Sequence, residues 1–249
     1  MRIVTIGDVH GRDRWKNAVY RINEDTDEIM YCRLGMAIDK VVFLGDYVDA
    51  YERTNDQILD NLLEIIQLKK DYPDNVVLLW GNHEIAYVRN ENISGFRPEM
   101  YHDLNELFRE NRNLFQLAYQ EGYNIWTHAG IHRGWWQYFV QPVLDRKTNN
   151  RFTPYLDDCK NIADILNLMF EFNYDPIFMV GHLRGGHDKV GGPLWAGKQE
   201  IYTKPLPGYH QLIGHNPVPE IKTYDFHDLT KLTFCDCLGV KTEFHKMDI

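Results

Sequence analysis

Five short blocks of the chain end in side chains that bind cations. GDVHG supplies Asp8 and His10, GDYVD supplies Asp46 and Asp49, GNHE supplies Asn82 and His83, THAG supplies His128, and IGHNP supplies His215. Carboxylate, imidazole and amide oxygen without thiolate suit hard or borderline ions, with Mn²⁺, Fe²⁺ and Zn²⁺ all admissible. Glycines beside these residues let the backbone turn sharply and a ligand approach. Taken singly, each block has a plain structural explanation. An aspartate after a strand is commonly a cap or turn residue, and a lone histidine is most often a hydrogen-bonded structural side chain. Five such blocks, each behind an apolar run, argue for one shared site.

The apolar runs are what must position them. RIVTIGD, KVVFLGD and NVVLLWGN each read as a short buried strand, rich in β-branched residues and closed by glycine and a polar residue. Helical spacing over residues 12–28 and 55–70 separates them, with Ile58, Leu62, Ile65 and Ile66 on one face of the second helix. This βαβαβ pattern predicts a mainly parallel sheet. The spacing further predicts helices over 101–121 and 161–172. YNIWTHAG, IFMVGH, HQLIGH, IKTYDF, KLTFCDC and KTEFHK read as further strands. In open α/β sheets ligands bind beyond the carboxyl ends of strands, so residues scattered along the chain converge there. The expected class is α/β (α+β), a layered β core flanked by helices, as a single domain over residues 1–249.

Composition narrows the partners. With 44% hydrophobic and 25% charged residues the chain is ordinary for a globular protein. No apolar stretch approaches the roughly 20 residues a membrane-spanning helix needs. The start, MRIVTIGDVHGR, lacks the long apolar segment and cleavage site of a secretory signal, so a cytoplasmic location is expected. Cys32, Cys159, Cys235 and Cys237 are too few and too scattered for a disulfide scaffold. A net charge of −9 argues against general nucleic-acid binding and accords with gathering metal cations.

In order and wording, GDVHG, GDYVD, GNHE, THAG and GHNP resemble the calcineurin-like metallophosphoesterase superfamily. The glutamate after GNH makes the chain most similar to the phosphoprotein (serine/threonine) phosphatase branch. GGPLW, at Gly191 to Trp195, is similar to a segment such enzymes carry before the last histidine. The resemblance implies a four-layer β-sandwich with outer helices and two divalent metals at the strand ends, Mn²⁺ foremost, with Fe or Zn as alternatives. It implies that Asp8 and His10 bind the first metal, Asp46 bridges both, and Asn82, His128 and His215 bind the second. His83 would be the acid near the leaving group, oriented by Asp49. His182, in FMVGHLRGGH, competes with His215, but GHNPVPEI matches the family's final block better; His132 and His187 read as loop residues.

That division of labour has independent chemical sense. A phosphate ester is anionic and resists hydroxide, so a catalyst must neutralise phosphoryl oxygens and supply a nucleophile at neutral pH. Two metals about 3.5–4 Å apart do both, by clamping the phosphoryl group and acidifying a shared water. One departure stands out. The family usually places arginine after the second aspartate, where it grips the phosphate, and here Ala50 follows Asp49. Arg12, Arg53, Arg133 and Arg184 lie beside motif blocks. Arg53, on the same loop, is the first choice as substitute and Arg184 the second, with Asn82 also facing the phosphate. The expected substrate is a phosphoprotein or a small phosphate monoester. The alternatives are a hydrolase of dinucleoside polyphosphates or nucleotide phosphates, and a catalytically silent scaffold.

Overall fold

The structure, a computed structural model, describes residues 1–23, 25, 26 and 28–249. Its chain divides into two compact units. The first comprises residues 1–115, 217–221 and 235–249, and the second residues 116–216 and 222–234.

The first unit is built on β1 (Arg2–Ile6), β4 (Lys40–Phe43) and β5 (Val76–Leu79), three strands whose side chains are almost wholly buried. Such runs have no polar face to offer water, so both sides of the sheet must be covered. The three pair in parallel, Ile3 with Lys40 and Val41 with Val76 among the partners. The C-terminal strand His245–Asp248 adds antiparallel at the β1 edge. At the other edge lies β6 (Phe115–Gln116), where the chain passes into the second unit.

Between β4 and β5 runs helix α2 (Asn55–Asp71), which buries Ile58, Leu62, Ile65 and Ile66 as the spacing predicts. Its start is fixed by a reciprocal cap. Gln57 N–H donates to Thr54 Oγ1 (3.2 Å) and Thr54 N–H donates to Gln57 Oε1 (3.0 Å), an arrangement that stabilises a helix by about 1 kcal/mol. The loop from Asp49 to Thr54 is thereby anchored at its far end. Below it, the Arg97 guanidinium binds the carbonyls of Ala50 and Arg53 and the Asn55 side chain.

Several expected elements differ. The helix over 12–28 is confined to a turn and α1 (Lys16–Val19); the chain then forms β2 (Tyr20–Ile22), paired antiparallel with β3 (Ile29–Cys32). Residues 24 and 27 of that stretch lie outside the described residues. GNHE does not end a strand but opens helix α3 (Asn82–Arg89). The helix over 101–121 stops as α4 (Tyr101–Glu110), because Phe115, Leu117 and Ala118 are buried in extended chain.

The second unit holds a five-stranded sheet in the order β10-β11-β9-β8-β7. A hairpin of β7 (Ala118–Glu121) and β8 (Asn124–Thr127) leads to β9 (His210–Ile213), which lies parallel to β8. β11 (Lys231–Phe234) runs parallel to β9, and β10 (Lys222–Asp225) antiparallel to β11. The helix Ile162–Glu171 covers β7, and its Asn167 side chain accepts from the Leu117 and Ala118 amides. IFMVGH is no strand: Pro176 opens a tight turn over Asp175–Phe178. KTEFHK becomes a strand only from His245 onward.

Candidate active site

In the first unit three of the candidate residues hold a backbone that side chains rarely adopt. His10, Asp46 and Asp49 have φ of 46°, 51° and 67°. Asp and His tolerate the left-handed region better than most residues, yet such positions cost about 1–3 kcal/mol each and persist only where surroundings dictate them. Here the surroundings are hydrogen bonds between strand-end loops. The Val9 and His10 amides both donate to the Asp46 carbonyl (3.0 and 2.7 Å), and the Gly11 amide donates to that of Tyr47 (2.8 Å). The loops after β1 and β4 are thus one stitched platform.

Glu84 holds that platform from below. Fully buried on α3, it accepts from the amides of Asp46 (2.8 Å), Tyr47 (2.7 Å) and Gly81 (2.9 Å). Burial first, and the Asp46 charge second, push its carboxyl up to about 8. Glu84→Gln would turn an amide NH₂ toward at least one of three backbone donors. The expected loss is about 1–3 kcal/mol, seen as a lower melting temperature of metal-free protein; a melting temperature equal to wild type would show that the clamp carries no stability.

Two imidazoles meet Asp46. His10 Nδ1 donates to the Val48 carbonyl (2.7 Å), which fixes Nε2 as the lone-pair nitrogen, 3.8 Å from Asp46 Oδ2. Burial lowers the pKa of His10, so it is neutral and available as a ligand. His83 lies edge-on to it, ring centroids 5.0 Å apart. One ligand atom from each of His10, Asp46 and His83 lies within 4.8 Å of the others. Asp8, just after β1, and Asn82, the first residue of α3, are both buried. Imidazole, carboxylate and amide donors in this packing fit a divalent cation.

His83 is engaged on its other side. Its Nδ1 lies 2.8 Å from Asp49 Oδ2, and Asp49 Oδ1 accepts from the Tyr87 hydroxyl (2.5 Å), which in turn accepts from the Arg97 amide (2.9 Å). Burial works against charge on His83, but Asp46 and the Asp49 hydrogen bond outweigh it and raise the pKa to about 9. Tyr87 was not singled out by sequence. The signal existed: once α3 is recognised, Tyr87 stands four residues after His83, on the same face. A cleft of about 250 Å³ opens over this group, lined by His10, Arg12, Asp49, Ala50, Tyr51, Glu52, His83 and Ser94.

In the second unit, His128 at the end of β8 and His215 after β9 are both buried, His128 Nε2 lying 3.1 Å from His215 Nδ1. Two nitrogens each about 2.1 Å from one ion stand roughly 3 Å apart, so this pair also has the spacing of ligands. His215 too is left-handed, at φ 59°. His182 sits exposed in a turn, Nδ1 against the Gly186 carbonyl. His132 caps the turn at Gly134 and Trp135.

Of the arginines chosen from sequence, Arg53 is not among the residues lining this cleft. Arg53 Nη2 approaches Asp13 Oδ1 at 3.8 Å. Arg184 braces the His215 turn, donating to the His215 carbonyl (3.1 Å) and to Asn216 Oδ1.

Comparison with known proteins agrees with this chemistry. The family model of calcineurin-like phosphoesterases matches residues 1–226. A cold-active protein-tyrosine phosphatase of a psychrophilic Shewanella is similar at 16% identity and TM-score 0.50, covering 95% of this chain and 71% of that one. A protein serine/threonine phosphatase from Saccharomyces cerevisiae is similar at 19% identity and TM-score 0.48, covering 94% and 67%. At 16% identity the first likeness is one of fold alone, and the match to the family model carries the assignment. With sheets flanked by helices and side chains able to hold a cation gathered beyond β1 and β4, the chain belongs to the calcineurin-like phosphoesterases, metal-dependent hydrolases of phosphate esters.

Proposed function

We propose that this phosphoesterase is a phosphomonoesterase with two divalent ions, foremost Mn²⁺, acting on phosphoserine or phosphothreonine in proteins or on small phosphate monoesters. By the family's motif, Asp8 and His10 hold the first ion, Asp46 both, and Asn82, His128 and His215 the second. When bound, the metals clamp the phosphoryl oxygens and supply a nucleophile from water at neutral pH. His83 does the remaining proton work. Asp49 fixes Nδ1–H, so Nε2 carries the proton to the departing alkoxide, and the Tyr87 hydroxyl keeps Asp49 turned toward the imidazole. The observation supporting this reading most is the 2.8 Å His83–Asp49 pair on the wall of a cleft shared with His10. An acid is needed by alkyl esters, the leaving groups of phosphoserine and phosphothreonine. A cytoplasmic setting accords with four cysteines that are not in disulfides; among the described residues no helix is long and apolar enough to cross a membrane.

The test is a Mn²⁺-supplemented assay on p-nitrophenyl phosphate, phosphoserine and phosphotyrosine peptides, and diadenosine tetraphosphate. Hydrolysis of the first two is expected. Cleavage of diadenosine tetraphosphate alone would replace the reading with a nucleotide hydrolase, and inactivity on all four with metal bound would favour a scaffold.

A further inference from the structure

Ala50 leaves the phosphate without its usual arginine, and the cleft wall shows another. Ala50 is itself only 2% exposed, tucked over the Arg97 guanidinium. Among the residues lining the 250 Å³ cleft, Arg12 is the one arginine, and it stands with His10, Asp49 and His83. It also lines the neighbouring cleft of about 530 Å³ with His10, Pro217 and Val218, so Arg12 and His10 line both openings.

The backbone prepares this placement. Arg12 follows the left-handed pair His10 and Gly11, whose amides are stitched to the β4 loop, so its departure point is as fixed as that of His10. Its guanidinium donates through Nη1 to the Val9 carbonyl (3.5 Å) and pairs through Nη2 with Glu52 Oε1 at 2.6 Å. Glu52 lies two residues beyond Ala50, on the loop from which the usual arginine would project, and its side chain is about half exposed. An exposed carboxylate of this kind contributes little as a fixed ion pair. It does hold a planar donor group in orientation, and a phosphate dianion offers that group a second and better acceptor.

We propose that Arg12 is the phosphate-gripping residue of this active site, replacing the arginine absent at Ala50, with Glu52 orienting its guanidinium. The proposal rests on the phosphomonoesterase reading for its substrate, not for its binding: inorganic phosphate, the reaction product, tests it without turnover. Mn²⁺-loaded protein titrated calorimetrically with inorganic phosphate should bind about 10–100-fold more weakly as Arg12→Ala, the range expected for lost hydrogen bonds to a charged group. KM for p-nitrophenyl phosphate should rise in parallel, with metal content unchanged. Arg12→Lys keeps the charge without the planar fork and should fall between. Glu52→Ala should change phosphate affinity by no more than about threefold. Arg12→Ala protein that binds phosphate as wild type, or that loses metal, overturns the proposal, as does Glu52→Ala weakening phosphate as much as Arg12→Ala does. Wild-type protein that binds phosphate through Arg12 but hydrolyses no monoester would overturn the phosphomonoesterase reading alone.

Discussion

Asp46→Asn is expected to reduce turnover by roughly three orders of magnitude or more, the scale of a lost metal-centred stabilisation of several kcal/mol, and to leave purified protein with fewer than two ions per chain. The structure makes this a test of charge more than of shape. Asp46 Oδ1 accepts from the His83 amide (3.1 Å), and an asparagine oxygen can take that bond. The backbone contacts that shape the loop, Asp46 carbonyl to Val9 and His10 and Asp46 amide to Glu84, do not involve the side chain. What disappears is a carboxylate that is 2% exposed and stands beside another buried acid, Glu84. In metal-free protein that charge has a cost, shown by the rise of the Glu84 carboxyl to about 8, for which burial comes first and Asp46 second. Metal-free Asp46→Asn loses that repulsion together with the attraction of Asp46 for the His83 imidazolium, so the metal response is the readout: the stabilisation of wild type by added Mn²⁺ should be largely lost in the mutant. Elemental analysis decides the metal part. Two ions retained at wild-type affinity would remove Asp46 from the bridging position, whatever the activity.

Much of this site is legible in the sequence because its signals are local. β1 and β4 declare themselves by a β-branched run followed by glycine and an aspartate, and Ile58, Leu62, Ile65 and Ile66 announce the buried face of α2 without reference to the rest of the fold. The losses come where a distant partner decides. Tyr20 to Ile22 has helical spacing, but pairing with Ile29 to Cys32 draws it into a strand. Residues 111–121 continue the polarity of a helix, yet Phe115 stacks on Trp80 (4.6 Å between rings), and that burial demands extended chain. Reading GNHE as the close of a strand hid α3, and with it the reason for a glutamate there: from the third position of the helix it reaches back to Gly81 and across to the Asp46 loop. The arginines were hardest. Sequence distance favours Arg53, while the residue that lines the cleft is Arg12, and no periodicity encodes which way a long side chain leaves a loop.

The second large effect is expected for His83 and its support. His83→Ala should slow hydrolysis of an alkyl phosphate by about 10²–10⁴-fold, and of p-nitrophenyl phosphate far less, because p-nitrophenolate leaves without a proton. Equal losses on the two substrates would count against His83 as the acid. Its pH dependence follows from the same geometry. Burial opposes the imidazolium, but Asp46 and the Asp49 hydrogen bond raise its pKa from the ordinary 6.5 to about 9. A raised histidine pKa means that the fold favours the proton: the stability this contributes is full below pH 6.5 and is lost as pH climbs through 9. An acid at His83 would likewise be present below its pKa and spent above it, so the proposed role predicts that an alkaline fall in alkyl phosphate hydrolysis reports His83. Divalent ions held by Asp46 as proposed would offset the largest of the raising influences and draw that fall below pH 9. Asp49 and Glu84 supply the others, and Asp49→Asn should move the alkaline fall to lower pH. Tyr87→Phe removes the 2.5 Å hydrogen bond that orients Asp49; it leaves the carboxylate charge in place and should lower kcat for the alkyl ester with a smaller shift of the profile. An alkaline fall at the same pH in wild type and Asp49→Asn, with metal content equal, would show that the group titrating there is not His83.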